Sequence, residues 1–340
     1  MADENGDFQL YKYTPNRAAG IAFAVLFALA TVVLIYLVSA AAFKSKKVAG
    51  TWMHFNSDNE KQSIRFYMIG KLYGAYIPLI VGCVIEIIGY IGRSISSKHQ
   101  QELGPYVLQS VLLLIAPTLY AASIYMLFGR LAHLLFAESL MIMPARFETL
   151  IFVLGDVASL LMQAAGGGLM ASADSATSGS NLVTAGLFVQ IAFFGLFIIN
   201  EFLFLLRIQK ANSSIPPRCP RWKNLNLTLL ITSFLILIRS IVRAVEFIEG
   251  YDGHIASHEY FLYIFDTTPM FILPLMFIAT MFWNNIFIIQ EDSVTAQLNS
   301  MTQVTVQDDN GGHYGNYDSY DNDSQSQYDV SMVYAKDTIK

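Results

Sequence analysis

Residues Ala18–Phe43 read AAGIAFAVLFALATVVLIYLVSAAAF, an apolar run without a single charge. A helix crosses the roughly 30 Å hydrocarbon core of a bilayer with about 20 such residues. Six further runs follow: Tyr67–Gly92, Tyr106–Gly129, Thr149–Ala171, Leu182–Leu206, Leu225–Ile248 and Glu259–Ile289. Of the 340 residues, 54% are hydrophobic and 14% charged, where soluble proteins carry about 25% charged residues. Strand-type alternation is absent, which excludes a β-barrel. The expected fold is all-α: a polytopic membrane protein built as a seven-transmembrane-helix bundle.

Loop charge sets the expected orientation. The first, third and fifth loops hold Lys44, Lys46, Lys47, Lys61, Arg65, Arg130, Arg146, Arg207, Lys210, Arg218, Arg221 and Lys223. The opposite side holds Lys12, Arg17, Arg93 and Lys98. That bias places the odd loops in the cytosol, the amino terminus outside and the carboxyl terminus inside. The expected layout is an extracellular tail over 1–17, the helical domain over 18–289 and a disordered cytosolic tail over 290–340, rich in Asn, Asp, Gly, Ser and Tyr. The polar first 17 residues and the long first run do not read as a cleavable signal peptide. Cys83 and Cys219 read as free thiols, and no charge pattern suggests nucleic-acid binding.

An ionisable residue inside a bilayer costs about 2.5–3.5 kcal/mol on insertion scales and needs a partner or a water-filled cavity. Arg239, Arg243 and Glu246 stand at i, i+4 and i+7, so they share one helical face that must turn inward. At a rise of about 1.5 Å per residue, Glu86 and Asp266 fall at similar depths in the outer half. The expectation is a partly hydrated ionic cluster of the second, sixth and seventh spans, open to the outside. It would serve either to lock the bundle or to bind a head group. Asp156 and Gln163, seven residues apart, share a face in the inner half, with Arg130 as the expected structural partner of Asp156. Glu201 is expected to be solvated and Lys71 to snorkel. Pro78, Pro117, Pro269 and Pro274 each free a carbonyl and favour a kink. The Gly166–Gly168 triplet is expected to unwind the end of the fourth span.

Several blocks in order resemble the fungal RTA-like, or lipid-translocating exporter, family. They are Glu86-Ile-Ile-Gly89-Tyr90-Ile-Gly-Arg93; Ala116-Pro117 with Ala121 to Tyr125 and Gly129-Arg130; Asp156, Ser159, Gln163 and the glycine triplet; Gly186-Leu187 with Gln190; and Arg239, Arg243, Glu246, Gly250, Gly253, Glu259, Tyr263 and Asp266. The resemblance runs from about Tyr13 to Ile289. It implies a fungal plasma-membrane protein handling membrane lipids or amphiphiles: sphingoid bases, sterol-like compounds, porphyrins. It adds Tyr90, Arg93 and Gln190 to the candidate head-group residues.

No Gly-x4-Gly-Lys-Ser/Thr motif is present, so lipid movement would be passive or coupled to an ion gradient. The main rival is a seven-helix receptor or lipid sensor. Against it, the third span ends Gly129-Arg130-Leu131 instead of an acidic-Arg-aromatic triplet, and the seventh lacks Asn-Pro-x-x-Tyr. A zinc hydrolase is a weaker rival: His254 and His258 are four apart beside Glu259, but a third ligand is missing. No cofactor and no catalytic residue is expected.

Overall fold

The computed structural model describes residues 16–58, 69–98, 103–170, 175–210, 221–249, 253 and 259–296. Cys219, His254, His258 and the tails at 1–15 and 297–340 lie outside the described residues. Seven helices are long and apolar enough to cross a membrane: Arg17–Lys46, Ile69–Ser96, Val107–Leu134, Phe147–Met170, Ala176–Lys210, Trp222–Glu249 and Glu259–Ala296. They are called the first to seventh spans below. Among the described residues there is no strand.

The spans close into a ring. Each packs on its chain neighbour, the first packs on the seventh, and the third also touches the sixth across the middle. The surface is inverted relative to a water-soluble protein. Leu29, Val32, Leu161 and Leu196 are all more than half exposed, whereas Glu86, Asp156, Glu201 and Arg239 are buried. Apolar surface facing out and ionisable groups facing in is the partition that lipid solvent imposes. The core is aromatic: Tyr125, Phe128, Phe152, Phe194 and Phe197 interlock with ring centroids 4.5–6.1 Å apart.

Three local features refine the expected spans. The second span is broken at Ala75–Tyr76, just before Pro78, into helices Ile69–Gly74 and Ile77–Ser96. Ser123 of the third span mends the break. Its hydroxyl donates to the Ala75 carbonyl at 2.7 Å and accepts the Leu79 amide at 2.8 Å. One hydroxyl thus stands where a single helical hydrogen bond would have been. The seventh span begins with an α turn, Glu259–Phe261, and then winds a π turn, Leu262–Thr267, ahead of Pro269. Near its far end it is interrupted at Asn284–Asn285, and Asn285 then accepts the Ile288 amide at 3.0 Å and starts a helix over 286–296.

That last helix moves one expected boundary. Residues 290–296, expected in the tail, are helical: Ser293, Val294 and Ala296 are buried and Ser293 donates to the Leu134 carbonyl at 2.6 Å. Nor does the glycine triplet unwind, because the fourth span stays helical to Met170. A Cβ on Gly166 would stand 2.6 Å from the Gly179 carbonyl oxygen, and one on Gly179 would stand 2.6 Å from that of Gly166. The two glycines let the fourth and fifth spans touch backbone to backbone.

Candidate functional site

The sixth span delivers Arg239 to the middle of the ring. Its guanidinium forms an ion pair with Asp266 of the seventh span, both side chains under a tenth exposed. Its Nη2 also donates to the Leu113 carbonyl of the third span at 2.8 Å. Glu86 of the second span is 1% exposed, within electrostatic reach of both Arg239 and Asp266. Its Oε2 accepts no hydrogen bond. Two acids therefore share one arginine, and the arginine is already committed to Asp266 and to a carbonyl. The centre carries one carboxylate more than it has cations.

One helical turn along the second span, Tyr90 donates to the Thr267 hydroxyl at 2.7 Å. Its ring stacks on Phe27 of the first span at 5.6 Å and lies tilted against Phe23 at 5.8 Å. Beyond it, at the end of the bundle that carries the amino terminus, Arg93 pairs with Glu259 at 2.8 Å. Tyr263 donates to the same Glu259 oxygen at 3.1 Å and lies under the guanidinium, 5.5 Å from ring centre to Cζ. The Asn16 amide donates to both Glu259 oxygens, at 3.0 and 3.1 Å. The layers thus run from the Glu86–Arg239–Asp266 centre through an aromatic shelf to an ionic cap.

Set against the expected cluster, Glu86, Arg239 and Asp266 do meet, from the second, sixth and seventh spans as inferred. The remaining candidates divide. Arg243 pairs with Glu246 at 2.9 Å along its own helix, at the partly exposed end of the sixth span. Arg93 joins the cap. Gln190 is buried away from the centre, accepting the Gln163 amide at 3.0 Å between the fourth and fifth spans. The cluster is also closed instead of open, because the shelf and the cap cover it.

Two further expectations are corrected. Asp156 takes its hydrogen bond from the Tyr125 hydroxyl at 2.9 Å, not from Arg130, whose guanidinium reaches back to the Leu72 carbonyl at 3.3 Å. The tyrosine, one span over, reaches one oxygen of Asp156, while Oδ1 stays buried without a donor and the arginine turns to the second span. Glu201 is fully buried and accepts from Ser233 at 3.2 Å. Glu148, not among the expected site residues, is also fully buried and takes the Asn200 amide. Its position beside Pro144, at the start of a helix, made it look like an ordinary first-turn acid. Tyr263 and Thr267 belong to the layers as well; Tyr263 stands in the blocks that carry the family resemblance, whereas nothing in the sequence singles out Thr267. No group of three or more His, Cys, Asp or Glu that could hold a metal occurs among the described residues.

Residues 79–290, the stretch that carries the whole centre and its cap, match the family described as RTA1 like protein. The chain belongs to the RTA1-like family. Within it, the chain is 57% identical over 290 residues to Protein RTA1 of Saccharomyces cerevisiae, covering 85% of this chain and 90% of that one. It is 46% identical over 292 residues to Protoporphyrin uptake protein 1 of the same yeast, covering 84% and 96%. A more distant relative is Sphingoid long-chain base transporter RSB1 of S. cerevisiae, 26% identical over 240 residues, covering 60% and 63%. No solved structure matches the chain.

Proposed function

We propose that this RTA1-like protein moves amphiphiles with a cationic head across the plasma membrane, without hydrolysing nucleotide. A sphingoid base is the fitting cargo: an ammonium on a long apolar chain. The observation that carries the reading is the surplus carboxylate. Arg239 is engaged by Asp266 and Leu113, leaving Glu86 buried with a vacant oxygen, and an ammonium supplies the donors and charge that such a group needs. The aromatic shelf of Phe23, Phe27 and Tyr90 offers ring faces on the way to it. The relatives lend support at two ranges: one at 46% identity is named for protoporphyrin uptake, and one at 26% for sphingoid-base transport.

On this reading the amino terminus faces outward and the Arg93–Glu259–Tyr263 cap is an outer gate. The cap must open for the head group to reach Glu86. The test is flux of a labelled sphingoid base in liposomes holding the purified protein, wild type against Glu86→Gln. Loss of flux with unchanged protein content is expected. Equal flux removes Glu86 from the path, and no flux in the wild type favours a lipid sensor over a translocator.

A further inference from the structure

The second group of buried acids lies apart from the head-group centre and shares no residue with it. We propose that Glu148 of the fourth span and Glu201 of the fifth form a proton-carrying pair, the site at which translocation couples to a proton gradient.

Both side chains are fully buried, on spans that pack tightly against each other, and each carboxyl group lies within electrostatic reach of the other. Each is gripped through one oxygen by a neutral donor. The Asn200 amide bonds Glu148 Oε1, and its own oxygen is fixed by the Ile142 amide at 2.9 Å. The Ser233 hydroxyl bonds Glu201 Oε2. The remaining oxygens, Glu148 Oε2 and Glu201 Oε1, are buried and accept no hydrogen bond. These are vacant acceptor positions inside a scaffold that already holds the other half of each group.

Among the described residues, no cation pairs with either acid. From the third span, Tyr125 is spent on Asp156 and Arg130 reaches Leu72. From the fourth and fifth come Asp156 itself and Arg207, the latter exposed and bonded to the Leu140 carbonyl. The sixth contributes neutral Ser233, and Arg239, six residues further along, is about 9 Å away along the axis and committed to Asp266. The short 3-10 turn Glu138–Leu140, between the third and fourth spans, adds Glu138, which pairs with His133. Two buried acids without a cation are intolerable as a charged pair in low dielectric. Because both are closed off from solvent, the countercharge that fits without displacing a side chain is a proton.

In the loading step a hydronium O–H bond breaks, leaving water, and an O–H bond forms on the vacant oxygen of one carboxylate. Release returns the proton to water. Each cycle changes the charge of the pair by one, while the Asn200 and Ser233 hydrogen bonds stay in place. The coupling role rests on the translocation reading above; the existence of the site does not.

Two measurements on the full chain in lipid vesicles separate them. Infrared spectra in H2O and D2O should show a carboxylic-acid carbonyl band that shifts with deuteration, part of which is lost in Glu201→Gln and part in Glu148→Gln. Spectra identical among the wild type and both variants overturn the proposal. Sphingoid-base flux should depend on an imposed pH gradient in the wild type and lose that dependence in Glu201→Gln. Should Glu201→Gln prove unstable, Glu148→Gln serves alone. Band loss without any flux keeps the proton site and rejects translocation; flux without band loss rejects the site and keeps translocation.

Discussion

The Arg239 guanidinium donates at 2.8 Å to the Leu113 carbonyl, the very group that Pro117 leaves without a helical donor. A proline removes the amide that would bond the carbonyl four residues back, and an arginine from another span takes its place. The proline of the third span and the buried charge of the sixth are therefore one structure.

Pro117→Ala should loosen that link. It restores an amide that competes for the Leu113 carbonyl, freeing one arm of Arg239. The expected result is a protein of normal abundance and similar thermal stability in which sphingoid-base flux in liposomes falls. Unchanged flux would show that the third span only supports the arginine.

Arg239→Met should be far more damaging, because it strands Asp266 beside Glu86 with no cation. Removing one partner of a buried pair costs about 3–5 kcal/mol. Thermal unfolding in detergent measures the loss. Adding Asp266→Asn to Arg239→Met should recover part of it, and a double-mutant cycle with no coupling would contradict the direct ion pair.

Ser123→Ala leaves the Ala75 carbonyl and the Leu79 amide facing each other across an empty position. Two buried backbone groups then lose their only hydroxyl, at about 1–3 kcal/mol each for a group left unsatisfied. Chemical denaturation should register it, and hydrogen exchange at Leu79 should quicken. Ser123→Thr should keep both bonds.

Gly166→Leu forces bulk where a first carbon already stands 2.6 Å from the Gly179 carbonyl oxygen. Overpacking of this kind costs about 1–3 kcal/mol. Gly168→Leu is the control, since nothing lies within 4 Å of a Cβ there. Equal melting temperatures for the two variants would deny the close approach of the fourth and fifth spans.

Glu259→Gln weakens the cap without touching the centre. Arg93 and Tyr263 lose a charged partner, and the Asn16 amide loses its double acceptor. Faster flux with unchanged dependence on Glu86 is the expected sign of an opened gate, and slower flux would make Glu259 part of the path.

The seven spans were legible because lipid demands a long apolar run for each, and such a run is one-dimensional information. The meeting of Glu86, Arg239 and Asp266 followed from their depths and from the one inward face that Arg239, Arg243 and Glu246 share. What depth does not encode is the direction each side chain takes around its helix. Depth does not say that Arg243 pairs with Glu246 along its own helix, as it does at 2.9 Å. Glu201 looked like an interfacial acid because hydropathy counts position along the axis, whereas Ser233 and the fifth–sixth contact bury it. Glu148 hid for the same reason.

The π turn at Leu262–Thr267 fits one more residue into its coil than an α-helix holds. The wider turn absorbs that residue, so the segments before and after it face as they would in an unbroken α-helix one residue shorter. Glu259 and Tyr263 therefore stay turned toward Arg93 while Phe277 sits against Tyr76. Deleting one residue there would take up that slack and close the turn to α geometry, with the cap still over the core.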